Sequence, residues 1–123
     1  MATIVAAMSG VPFIQQNAQT TGNGTVLALP PSFRNHTWII TAAAGTTSGA
    51  VTIEASNDPN DANTWAIVIP ANSVANPLNV SAGADLMIEH TGLLNFVRAR
   101  ISTTIAGGGA PSVTVIYEGA KSY

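Results

Sequence analysis

Apolar and polar residues alternate in short runs along this chain, and turn-forming residues separate the runs. In Ala50–Ser56, Val51, Ile53 and Ala55 fall on one side and Thr52, Glu54 and Ser56 on the other, the period-two pattern of a half-buried strand. Asn95–Ile105 repeats it, with Val97, Ala99 and Ile101 opposite Phe96, Arg98 and Arg100. His36–Ala43, rich in β-branched and aromatic residues, suits a pleated surface. Further strands are predicted at Thr25–Leu29, Thr64–Ile69, Leu78–Val80, Leu86–His90 and Ser112–Glu118. Turns fall at Gly22-Asn23-Gly24, Gly45–Gly49, Thr91-Gly92 and Gly107–Pro111. No window carries apolar residues at helical spacing with caps at both ends. About eight short strands between turn signals predict an all-β fold, an antiparallel β-sandwich of jelly-roll or immunoglobulin-like topology. Residues 1–22 are expected to form an N-terminal arm or edge strand followed by a loop, because Ser9–Asn23 is rich in Gln, Asn, Thr and Gly. Residues 23–123 form the sandwich in this reading.

Composition narrows the function more than the fold. The chain has 123 residues, of which 8% are charged and 46% hydrophobic, with a mean hydropathy of +0.30. Ordinary soluble domains carry about 25% charged residues. Ser, Thr, Asn and Ala stand where charges usually keep a monomer dispersed, so association with other subunits is expected. Four Lys and Arg and a formal net charge of −2 argue against nucleic acid, whose backbone takes several basic contacts. No basic amphipathic helix points to a membrane. Cysteine is absent, which excludes thiolate chemistry and fits a reducing cytoplasm.

The densest polar stretch is Ser56-Asn57-Asp58-Pro59-Asn60-Asp61-Ala62-Asn63-Thr64-Trp65. A calcium loop starting at Asp58 fails at Ala62, and its twelfth position is Ile69 rather than Glu. His36 and His90 lack a neighbouring ligand motif. No G-x-S-x-G elbow, P-loop or dinucleotide fingerprint occurs, so neither enzyme activity nor a cofactor or metal is expected. Asn57, Asp58, Asn60 and Trp65 have the residue types of a sugar-binding patch. The plainer reading is a turn, with Trp65 as a core plug. Arg98 and Arg100, two apart on one strand face, are expected to meet Glu54 across strands or across subunits, since a guanidinium pairs with a carboxylate.

Two blocks, His36–Val68 and Phe96–Gly119, together resemble a pattern found in small tailed-phage virion proteins. The matching residues are Val51–Ser56, Asp58, Trp65, Phe96–Arg100 and Val113–Val115. The resemblance implies a non-enzymatic sandwich on the virion, assembled in the host cytoplasm. Its role there would be a capsid decoration (cement) protein or a head- or tail-fibre module. By analogy with decoration proteins, the expected partners are further copies of the chain, as a homotrimer, and a major capsid protein. The expected contact residues are Ile4, Val5 and Phe13 near the N-terminus and Phe96, Arg98 and Arg100. Two alternatives stand beside this reading: a carbohydrate-binding module, or another coat or tail component. A small RNA-phage coat fits less well, since such coats end in helices and bind RNA through basic residues.

Overall fold

The computed structural model describes residues 4–81 and 85–121; residues 1–3, part of the expected first strand, lie outside that range, as do 82–84 and 122–123. The strands are β1 (Ile4–Ala6), β2 (Phe13–Gln19), β3 (Val26–Ala28), β4 (Phe33–Ala42) and β5 (Thr46–Ser56), then β6 (Ala66–Ile67), β7 (Leu78–Asn79), β8 (Asp85–Thr91), β9 (Phe96–Gly107) and β10 (Val113–Lys121). One sheet runs β1-β3-β9-β5-β6, with β7 also on β5; the other runs β2-β10-β4-β8. The two pack face to face as a β-sandwich.

The pairings β2·β10, β3·β9, β4·β8 and β5·β6 are all antiparallel. The chain is therefore one long double ribbon, rolled so that β10 also meets β4 and β9 also meets β5. Successive ribbon segments alternate between sheets, which is the jelly-roll topology. Of the two topologies expected, this is the one adopted. Only β1 runs parallel to its neighbour, β3.

The core lies between the sheets. Val51, Ile53, Val97 and Ala99 enter from one side and Trp38, Ile40, Ile88, Val113, Val115 and Tyr117 from the other, all fully buried. Val51 and Ile53 of β5 and Val97 and Ala99 of β9 thus face the core as predicted, but β5 is not half-buried, since Thr52, Glu54 and Ser56 on its other side are buried as well. Burying each such side chain contributes about 1.5–3 kcal/mol before conformational entropy is set against it.

Two elements differ from the sequence reading. Phe13–Gln19, expected within a loop, is strand β2. Its pairing with β10 jumps from Ile14 to Gln16, leaving Gln15 as a bulge and turning both glutamines inward. There the Gln15 amide donates to the carbonyls of Thr25 and Val97, each at 3.1 Å, and accepts from the Trp38 indole N–H at 2.9 Å. Gln16 donates to the carbonyls of Gly22 (3.0 Å) and Ala99 (2.8 Å). The two side chains bind the sheets together at β9, where β3 ends. Gly24, at φ +71, lets the backbone approach: a Cβ there would lie 2.7 Å from the Gln15 carbonyl oxygen. The second difference is the strand expected at Thr64–Ile69, which reduces to Ala66–Ile67. A turn of 3-10 helix takes up Ala62–Thr64, and past Ile67 only the Val68 N–H reaches β5, at the Ile53 carbonyl.

Candidate functional site

β5 and β9 place Glu54 directly opposite Arg98 and Thr52 opposite Arg100, on the outer face of the six-stranded sheet. One oxygen of Glu54, Oε1, accepts from Arg98 Nε at 2.9 Å and from Arg100 Nε at 3.1 Å. The pair expected across strands or across subunits is therefore formed across strands, within one chain. The Glu54 side chain is 8% exposed, that of Arg98 16% and that of Arg100 37%. A carboxylate this deep needs such partners, because desolvating it alone would cost several kcal/mol. Two guanidiniums share it, so this cluster carries one surplus positive charge. Phe96 stands half-buried on the same face, two residues along β9 from Arg98.

Trp65 belongs to this face and not to the core. It is half-buried, and the Arg98 guanidinium carbon sits 4.1 Å from its ring centroid. The core-plug reading is thus corrected. Trp65 follows the 3-10 turn, which swings it out over Arg98, and a cation–π contact there adds about 0.5–2 kcal/mol.

The polar loop before Trp65 spends its side chains on itself. Asp58 accepts from the Asn60 N–H (3.2 Å) and Asp61 from the Asn63 N–H (3.0 Å), capping successive turns. The Thr64 hydroxyl lies 2.6 Å from the Asp58 carbonyl and 2.7 Å from that of Asp61, and also contacts the Ser56 hydroxyl. Asn57 accepts from the Asn95 amide at 2.7 Å. The four residues with sugar-patch chemistry lie along this loop: the side chains of Asn57, Asp58 and Trp65 have intramolecular partners, and Asn60 is held through its backbone N–H.

At the N-terminus, Ile4 is 40% exposed on the edge strand. Val5 and Phe13 are partly buried and pack against the core.

Strand pairing joins what the sequence separates: His36 lies opposite His90, with ring centroids 6.1 Å apart. His36 is buried. Its Nε2 is 2.8 Å from the Gly92 carbonyl, so that nitrogen carries the proton, and the bare Nδ1 accepts from the Tyr117 hydroxyl at 2.8 Å. Burial lowers the His36 pKa; the Gly92 hydrogen bond opposes this and the nearby His90 adds to it. Burial also drives the Tyr117 phenol well above its usual range. Both His36 nitrogens are engaged, so this is a satisfied core histidine. The sequence signal that could have found it was the alternation of β4, which turns His36 to the same side as Trp38 and Ile40.

Fold and site together define a jelly-roll β-sandwich with an arginine-rich outer face. No family model matches the chain, and no curated protein does. Among solved structures, the crystal structure of SPBc2 prophage-derived protein YomS is similar, with a TM-score of 0.55 at 16% identity, covering 87% of this chain and 88% of that one. At that identity the likeness is one of fold.

Proposed function

We propose that this chain is a non-enzymatic structural protein of a phage virion, acting as a capsid decoration protein that associates with itself and bridges shell subunits. The observation that carries the reading is the fold shared with a prophage-derived protein over nearly the full length of both chains. Fold alone does not assign function, but two further features agree with it. Only 8% of the residues are charged, as suits a subunit that spends its life covered by neighbours. Asp58 and Asp61 in the loop and His36 in the core, residue types that lend themselves to ligand chemistry, are engaged in holding the fold.

In this role the protein works mechanically. Copies grouped as trimers at capsid threefold positions tie adjacent shell proteins together against internal pressure. Mass spectrometry of purified particles from the phage that encodes the chain tests the reading. The chain is expected in the particle, and particles lacking it are expected to open at lower temperature. Its absence from particles rejects the proposal. A carbohydrate-binding role would instead appear as glycan-array binding that Trp65→Ala abolishes.

A further inference from the structure

The four-stranded sheet aligns Ile14 with Ile116, Ile116 with Ile39, and Ile39 with Met87. Residues paired across antiparallel strands share a face. The neighbours Val115, Tyr117, Trp38, Ile40 and Ile88 fill the core, so these four point outward. They form an apolar row across all four strands, about 14 Å long at roughly 4.8 Å per strand. Ile14 is 48% exposed, Met87 42% and Ile39 36%. Single exposed apolar residues are ordinary; a row that crosses a whole sheet marks a contact surface.

The next row on the same face is acidic. Glu118, Thr37 and Glu89 are in register on β10, β4 and β8, and both glutamates are exposed. Among the described residues no cation pairs with either. A shallow depression of about 320 Å³ lies between the rows, lined in part by Thr37, Ile39, Met87 and Glu118. The outer face of the six-stranded sheet carries a cluster of complementary charge. There Glu54 neutralises one of two arginines, and Arg100, with its side chain 37% exposed, bonds only through Nε among the described residues.

We infer that the acidic, apolar face docks the arginine face of a second copy of this chain. The Arg100 stem lies along the apolar row while its terminal nitrogens reach Glu89 or Glu118. Packing two acidic faces together would instead bring both copies' Glu89 and Glu118 into one contact, which like-charge repulsion disfavours. A front-to-back contact is heterologous, so it continues into a ring or a row of subunits and does not stop at a dimer. The inference rests on the reading of the chain as an assembled subunit and names the faces through which it assembles.

Light scattering and sedimentation of the full chain over a concentration series test it. The expected mass exceeds the 12.5 kDa monomer and rises with concentration. Ile39→Ser, the double variant Glu89→Lys/Glu118→Lys, and Arg100→Glu should each weaken association by about tenfold or more. All the substituted side chains are partly exposed, and a cooperative thermal transition confirms that each variant folds; that of Arg100→Glu falls somewhat, because Glu54 keeps only Arg98. Mixing the double glutamate variant with Arg100→Glu restores complementary faces, so the mixture should associate where each alone does not. A monomer at every concentration overturns the inference, as does association that the variants leave intact or a mixture no better than its parts. A chain that enters virions yet stays monomeric in solution defeats this contact and leaves the virion role standing. Association through these faces by a chain absent from particles does the reverse.

Discussion

Gln15 holds three polar groups with one amide: the buried indole N–H of Trp38 and carbonyl of Val97, and the part-buried carbonyl of Thr25. Replacing it with Leu keeps nearly the same volume and removes all three partners. Each buried group left unpaired costs about 1–3 kcal/mol, and some of that is recovered by relaxation. Gln15→Leu is therefore expected to lower the unfolding free energy by about 3 kcal/mol in urea titrations, whereas exposed Gln19→Leu should change it by less than about 0.5 kcal/mol. Equal effects at the two positions would mean that the Gln15 network contributes little. This residue also shows where the sequence falls silent. A glutamine on the buried side of a strand reads as loop until its partners are known, and those partners come from Thr25 just before β3, from β4 and from β9. Trp65 is the opposite case. Its size and its place at the start of a predicted strand read as core, but the 3-10 turn before it brings the ring out to Arg98.

At the level of elements, the strands with the clearest alternation, β5 and β9, were legible because their inward residues are apolar. β2 was hidden by its bulge and its two inward glutamines. β6 is short because Thr64 is drawn into hydrogen bonds with Asp58 and Asp61, leaving Ile67 and Ile69 exposed at 51% and 79%. The Glu54–Arg98–Arg100 cluster was half legible: spacing put the residues on outward faces, and strand register then brought them together. The pairing of β4 with β8 and β10, invisible in the sequence, also makes stability depend on pH. His36, wedged against Tyr117, Trp38 and His90, has a folded pKa below its ordinary value of 6.5. The unfolded chain then binds the proton more readily than the folded one. The contribution of neutral His36 is fully present above about pH 6.5 and is lost as the pH falls through that value toward the folded pKa. Urea midpoints should drop between about pH 7.5 and pH 5. His36→Phe leaves the Tyr117 hydroxyl without its acceptor and is less stable throughout, but it should flatten that slope. An unchanged slope would assign the pH dependence to other groups.

At the scale of the whole molecule, the rolled ribbon decides which parts of the chain can be removed. Its outermost pair joins β2, near the start, to β10, near the end, so the fold closes only when distant segments meet. Such non-local pairing is slow to form and hard to interrupt. β1 lies outside the ribbon, as an edge strand on β3; beyond it the Ala7 N–H bonds the Ala28 carbonyl and the Gly10 N–H bonds the Gly119 carbonyl. Deleting residues 1–10 removes that edge and the small core contributions of Val5 and Ala7 but leaves every ribbon pair intact. Deleting residues 1–19 also takes away β2. It exposes one edge of β10 and strips the carbonyls of Val97 and Ala99 of the glutamine amides that satisfy them. The shorter deletion is expected to leave a protein that unfolds cooperatively at a somewhat lower urea midpoint. The longer one is expected to lose the cooperative transition and to aggregate, since an unpaired strand edge beside buried apolar surface recruits other chains. A sandwich confined to residues 23–123 predicts instead that both truncated chains fold. Far-ultraviolet circular dichroism and urea titration of the two deletions separate these outcomes, because only the ribbon makes residues 11–19 indispensable while leaving 1–10 dispensable.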